Sequence, residues 1–139
     1  MIVVSHEIGH WVAEKTDGIY TPQNSSAVGR VIDGQIVGGV SFSEFSGRSI
    51  AMHCAGVGHW LSRELLNKAF LYPFEQLKVH KVLGLVDQSN VNARRLNQHL
   101  GFVLETRIKD AAPGGDWLVY YMTREQCRFL GARYESWKK

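Results

Sequence analysis

The sequence has little of what marks a specialised chain. Two cysteines, Cys54 and Cys127, among 139 residues build no disulfide framework, so a reduced, cytoplasmic setting is the expectation. No stretch approaches the ~20 apolar residues of a membrane span. The opening run Met1–Val4 is too short for a signal peptide and has no basic start. Neither sign of charge dominates: 16 Lys and Arg against 13 Asp and Glu leave +3. That excess lacks the dense basic stripe of a nucleic-acid binder, but it suits a site for an anionic ligand. There is no internal repeat, no low-complexity segment and no linker, so residues 1–139 read as a single domain. What is present is ordinary for a globular protein, with 45% hydrophobic and 21% charged residues. A chain of this length buries enough surface to need neither metal nor disulfide for its core.

Periodicity supplies the elements. Ser5 can N-cap a helix over His6–Lys15, in which Ile8, Trp11 and Val12 recur at helical spacing, and Asp17-Gly18 ends it. A strand over Ala27–Ile32 follows, then the hairpin signal Asp33-Gly34 and a return strand over Gln35–Phe45. Arg48–Cys54 is a third strand. A glycine-containing loop, Ala55–His59, leads into a helix from about Trp60 to Tyr72, which Pro73 should end or kink. Lys81–Asp87 is a short apolar strand and Asn90–His99 a helix closed by Gly101. Phe102–Lys109 alternates as a strand, with Phe102, Leu104 and Ile108 inward. Pro113-Gly114-Gly115 is a turn, Trp117–Met122 the last strand, and a short helix starts near Arg124. The expected architecture is α/β (α+β): a mixed, mostly antiparallel central sheet with one parallel pair and helices on both faces.

Two segments carry chemistry. In His53-Cys-Ala-Gly56-Val-Gly58-His-Trp60-Leu61-Ser-Arg63, a glycine-containing turn feeds a helix start, where free amides and the helix dipole suit a phosphate. A plain strand-to-helix turn has the same appearance. In Asn90-Val-Asn-Ala93-Arg-Arg-Leu96-Asn97-Gln-His-Leu100-Gly101-Phe102, residues Asn90, Ala93 and Asn97 share a helix face, and Asn90 also reads as an N-cap.

The pattern Asn-x-x-Ala-x-x-Leu-x-x-x-Leu-Gly-Phe, between a short apolar strand and an alternating one, resembles the fourth-helix signature of the GNAT superfamily of N-acetyltransferases. The glycine loop resembles that family's pyrophosphate motif in part, with His53 standing where Gln or Arg is usual. An alternative register puts Trp60-Leu61-Ser62-Arg63 at the pyrophosphate turn. The element order from Ala27 to Met122 matches as well. Small phage- and prophage-type acetyltransferases are the nearest likeness, and enzymes that modify protein N-termini a more distant one. The resemblance implies acetyl-CoA as co-substrate, no metal, an amine-bearing acceptor and a possible pairing of two copies. It implies that the third strand splays from its parallel neighbour and that pantetheine lies in the opened gap along Met52, His53 and Cys54, that Gly56, Gly58, Trp60, Leu61 and Arg63 hold the pyrophosphate, and that Asn90 and Asn97 face the pantetheine. Asn97 stands where the family often has a tyrosine that protonates the leaving thiolate. Only one helix precedes the hairpin here, where the family usually has a strand and two helices.

Direct attack of an amine on a thioester needs a base and an oxyanion site. His53, Glu44 and Asp87 are the base candidates, and His53 has the right intrinsic range. Catalytic roles are therefore expected for His53, Glu44 and Asn97. Two other readings stand beside this one. His6-Glu7-Ile8-Gly9-His10 is a literal His-Glu-x-x-His match, which on a helix can hold zinc for a hydrolase. The same segment reads as a surface helix docking Ile8, Trp11 and Val12. Alternatively, Asn97 in the tyrosine position suits a non-catalytic module that only holds acyl-CoA.

Overall fold

The computed structural model describes residues 1–131. The elements are β1 (Ile2–Val4), α1 (His6–Thr16), β2 (Ser26–Ile32), β3 (Gln35–Ser43), β4 (Ser49–Gly56), α2 (Arg63–Leu71), β5 (Lys81–Asp87), α3 (Val91–Leu100), β6 (Val103–Ala112) and β7 (Gly115–Thr123). They form a seven-stranded sheet in the order β1-β2-β3-β4-β5-β7-β6. Every neighbouring pair is antiparallel except β4–β5. The mixed α/β sheet expected from the sequence is thus the observed one.

Helices cover both faces, unequally. Ser5 caps α1, its hydroxyl accepting from the Glu7 amide at 3.0 Å. Ile8 and Val12 point into the sheet and are fully buried. The helix comes close because glycines stand beneath it: a Cβ on Gly39 would lie 2.7 Å from Ile8 and 2.9 Å from Val12. The opposite face carries the larger core, where Val28, Val40, Phe42, Ile50 and Met52 meet Leu65 and Phe70 of α2 and Leu100 of α3. Side chains alternate along each strand, so Gly29, Ser41 and His53 lie on the α1 face, while Val28, Val40 and Cys54 lie on the α2 face.

Several boundaries differ from the sequence reading. Met1–Val4 contributes β1, which pairs with β2 at the sheet edge. β4 continues through Gly56, where a loop was expected. α2 starts at Arg63 rather than Trp60, because Ser62 caps it by accepting from the Leu65 amide at 3.1 Å. Pro73, which has no N–H, diverts the chain into one wider turn over Tyr72–Gln76 that closes with Leu77 N–H on the Tyr72 carbonyl. In β6 a register shift between Leu104 and Thr106 breaks the alternation, and Leu104 and Ile108 are exposed rather than inward. Residues 124–131 form turns; the remainder of the expected last helix lies outside the described residues.

Candidate functional site

The parallel pair is incomplete. Ser49, Ile50 and Ala51 stand opposite Lys81, Val82 and Leu83, and the bridging stops there. Both strands nevertheless continue, β4 to Gly56 on β3 and β5 to Asp87 on β7. A wedge-shaped gap therefore opens between them. Hydrogen-bond alternation shows what faces it. The Val57 amide bonds to the Val37 carbonyl at 2.8 Å, so odd residues of β4 pair with β3. Met52, Cys54 and Gly56 turn their main-chain groups away from β3, toward the gap. Across it, the Gln88 amide bonds to the Asp116 carbonyl at 3.0 Å, so even residues of β5 pair with β7. Leu85 and Asp87 turn their main chains inward. The gap is lined by two sheet edges with open donors and acceptors.

The loop at residues 57–62 closes the wide end. Gly58 has φ +60° and no atom near the place of a Cβ. Trp60 lies across Gly38 and Gly56, and neither position has room for a Cβ beneath the indole. Half-buried Leu61 and exposed Arg63 follow at the start of α2. Arg30, which sequence reasoning missed, secures this loop: its guanidinium donates to the His59 carbonyl at 2.9 Å and to the Trp60 carbonyl at 3.5 Å. No local signal marks Arg30, because its partners lie 29 and 30 residues away. With Ser62 satisfying the Leu65 amide, the amides of Arg63 and Glu64 remain open at the helix start.

Asn90 and Asn97 belong to the opposite wall. Asn90 caps α3, its carbonyl oxygen accepting from the Ala93 amide at 3.1 Å. Asn97 donates its amide to the Ala93 carbonyl at 2.8 Å. Its own carbonyl oxygen overlies Gly84, 3.0 Å from where a Cβ would stand. The side chain thus sets an acceptor over the α3-side face of β5 and keeps its donor inside the helix.

His53 occupies the other face of β4, near the narrow end. Its Nε2 shares a hydrogen bond of 3.3 Å with the Ser43 hydroxyl. Burial lowers its pKa below the ordinary 6.5, opposed by the neighbouring Glu44 carboxylate. His53 and Glu44 are therefore brought together, on the face opposite α2 and α3. Burial pushes the Cys54 thiol up to about 12, so it is no nucleophile. Asp87 is already engaged: the Ser89 amide and hydroxyl and the Gly114 amide all donate to it, and these bonds hold its carboxyl below the usual range. It ties the start of α3 to the β6–β7 turn and is a poor base.

The His-Glu-x-x-His segment lies on α1, away from the gap. His6 Nδ1 shares a 2.7 Å hydrogen bond with the Tyr20 hydroxyl, and His10 meets the same ring edge-on at 5.1 Å. Among the described residues, no three His, Cys, Asp or Glu side chains gather as a metal site. The two histidines seat Tyr20 over Gly9.

The fold is thus a mixed sheet that splays at its parallel pair, with a glycine loop and a helix start beyond the opening. Comparison with solved structures identifies the fold. The spermidine N-acetyltransferase SpeG from Vibrio cholerae, in a manganese complex, aligns with TM-score 0.69 and 15% identity over 99% of this chain and 97% of its own. The dodecameric form of that enzyme aligns at 0.67 and 16% over 89% and 94%. A GNAT-family acetyltransferase from Bacillus anthracis aligns at 0.64 and 13% over 89% and 95%. No family model and no curated sequence matches the chain. The fold is that of the GNAT-family acetyltransferases.

Proposed function

We propose that this protein transfers an acetyl group from acetyl-CoA to a primary amine, by direct attack of the amine on the thioester. The observation that carries the reading is the splay after Ala51 and Leu83, which leaves two main-chain edges open to an extended pantetheine. The fold neighbours, two of which are named for spermidine N-acetylation, add support. Acetyl-CoA supplies the activated acetyl thioester. The open amides at the start of α2, with Arg63 beside them, suit its pyrophosphate, and Arg30 keeps their loop in place. The Cys54 main chain suits the pantetheine amides, and the Asn97 carbonyl can accept one further N–H. In the reaction the amine nitrogen forms the new bond to the acetyl carbon, and the carbon–sulfur bond breaks. His53, kept neutral by burial, takes the proton lost by the amine, directly or through water. A β4 amide stabilises the oxyanion. Asn97 has no proton to give, so the thiolate takes its proton from solvent or from His53.

A cytoplasmic location and a homodimer remain part of the proposal; among the described residues no helix is long and apolar enough to cross a membrane. The phage-type likeness rests on the sequence motifs. Titration calorimetry with acetyl-CoA tests the central claim. Binding in the micromolar range at one site per chain is expected, and Gly58→Trp, which fills the loop, weakens it by about tenfold or more. Absence of binding up to millimolar acetyl-CoA would overturn the acetyltransferase reading. Binding without transfer to any amine would leave the acyl-CoA module instead. Stoichiometric zinc lost on His10→Ala would revive the hydrolase.

A further inference from the structure

The α1 face of the sheet is only half covered. α1 packs on β2, β3 and β4, through Ile8, Val12, Ala27 and Ala55. No described helix packs on the same face of β5, β7 and β6. The register places Leu83 and Leu85 of β5 beside Tyr121 and Val119 of β7, with Trp117 beyond them opposite Ile108 of β6. Leu85 is 48% exposed and Ile108 49%, and the others are half-buried. This apolar floor begins where the gap begins. Leu83 stands at the last β4–β5 bridge, and His53 rises from β4 across the opening on the same face.

Resting on the acetyl-transfer reading, we propose that this floor is the acceptor subsite, and that the acceptor is a primary amine carried on a flat or branched apolar body. Three observations fix the occupant. The first is continuity: an amine lying on Leu83 and Leu85 has its nitrogen beside His53 and the narrow end of the splay. The second is size. Two strand spacings by four residues is about 10 Å by 14 Å, on the order of 140 Å². That accommodates an indole or phenyl group on a short chain. It falls far below the ~800 Å² per partner of a stable protein interface. The third is charge. At the narrow end the Lys81 ammonium lies 4.6 Å from the Tyr121 ring centre, its partner being Glu105 of the edge strand at 3.1 Å. At the wide end Asp87 is spent on Ser89 and Gly114. Glu44, beside His53, is the one carboxylate left to face the amine nitrogen; beyond it a polycation finds no further unengaged carboxylate among the described residues of this floor, whereas a singly charged amine with an apolar body buries surface on it.

The test is steady-state acetylation of tryptamine and of spermidine by the full chain, with acetyl-CoA affinity measured in parallel. Tryptamine is expected to have the higher kcat/KM by about tenfold or more. Val119→Asp, beside Leu85 on β7, is expected to raise the KM for tryptamine about tenfold and to abolish the preference, with acetyl-CoA affinity and circular dichroism retained. Equal or better use of spermidine, with acetyl-CoA bound, would overturn the subsite and leave the acetyltransferase reading standing. So would a Val119→Asp variant that turns a dimer into a monomer without moving the tryptamine KM. Failure to bind acetyl-CoA at all would overturn both.

Discussion

At the scale of single residues, His53 carries the sharpest expectation. Its imidazole is desolvated beneath the end of β4, which favours the neutral form, and Glu44 offsets this only in part. A base of this kind works where it is unprotonated. The acidic limb of kcat/KM is therefore expected below the ordinary imidazole value of 6.5, and His53→Gln is expected to remove that limb and lower kcat about a hundredfold. The same shift acts on stability with a definite sign. Above pH 6.5 both folded and unfolded chains carry neutral His53. Between 6.5 and the lower folded value only the unfolded chain takes up the proton, so stability is lost as pH falls through that window. Urea melts of the wild type and of His53→Gln should converge above neutral pH and diverge below it. The residue's intrinsic proton affinity was legible from its type, and its place from the third strand read over Arg48–Cys54. Its burial and its contact with Ser43 were not, because both depend on the register of β3 against β4. Arg30 left no trace at all, since a long side chain on a strand reads as solvated until the loop it holds is known.

At the scale of elements, hydrophobic period and cap residues placed the three described helices and most strands. Ser5 and Asn90 cap the helices they were read to cap. Two features escaped for physical reasons, and a third, the splay, came only through the family resemblance. β1 is three residues long, too short for any period to show. The shift in β6 changes which side chains face inward without changing composition. The splay belongs to neither β4 nor β5 alone, because each strand is regular on its paired side. Glycine told more than it first showed. A Cβ on Gly29 would stand 2.6 Å from Ile8 Cδ1 and 2.8 Å from the Gly38 carbonyl oxygen. The backbone contact cannot move aside as a side chain can. Gly29→Ala is expected to lift α1 and to destabilise the fold by about 1–3 kcal/mol, measured as a lower urea midpoint at unchanged slope.

At the scale of the whole molecule, the sheet is two half-sheets, β1–β4 and β5–β7–β6, joined at three residue pairs. The shared core of α2 and α3 holds them together on one face only. Acetyl-CoA, seated in the gap, is expected to slow amide exchange at Cys54 and Leu85 selectively. At a hundredfold excess over its Kd it is expected to add about 2.7 kcal/mol of stability, read as a rise in Tm. Uniform slowing without emphasis on these amides would place the ligand elsewhere.

The three-pair junction has a consequence for how the protein comes apart. A sheet joined so briefly has a built-in seam, and each side of the seam is a candidate unit of partial unfolding. In the free protein the two halves can lose structure at different denaturant concentrations. An extended ligand hydrogen-bonded to both edges acts as an absent eighth strand and makes the two halves melt as one. The donor substrate would then be part of what makes this chain a single cooperative body.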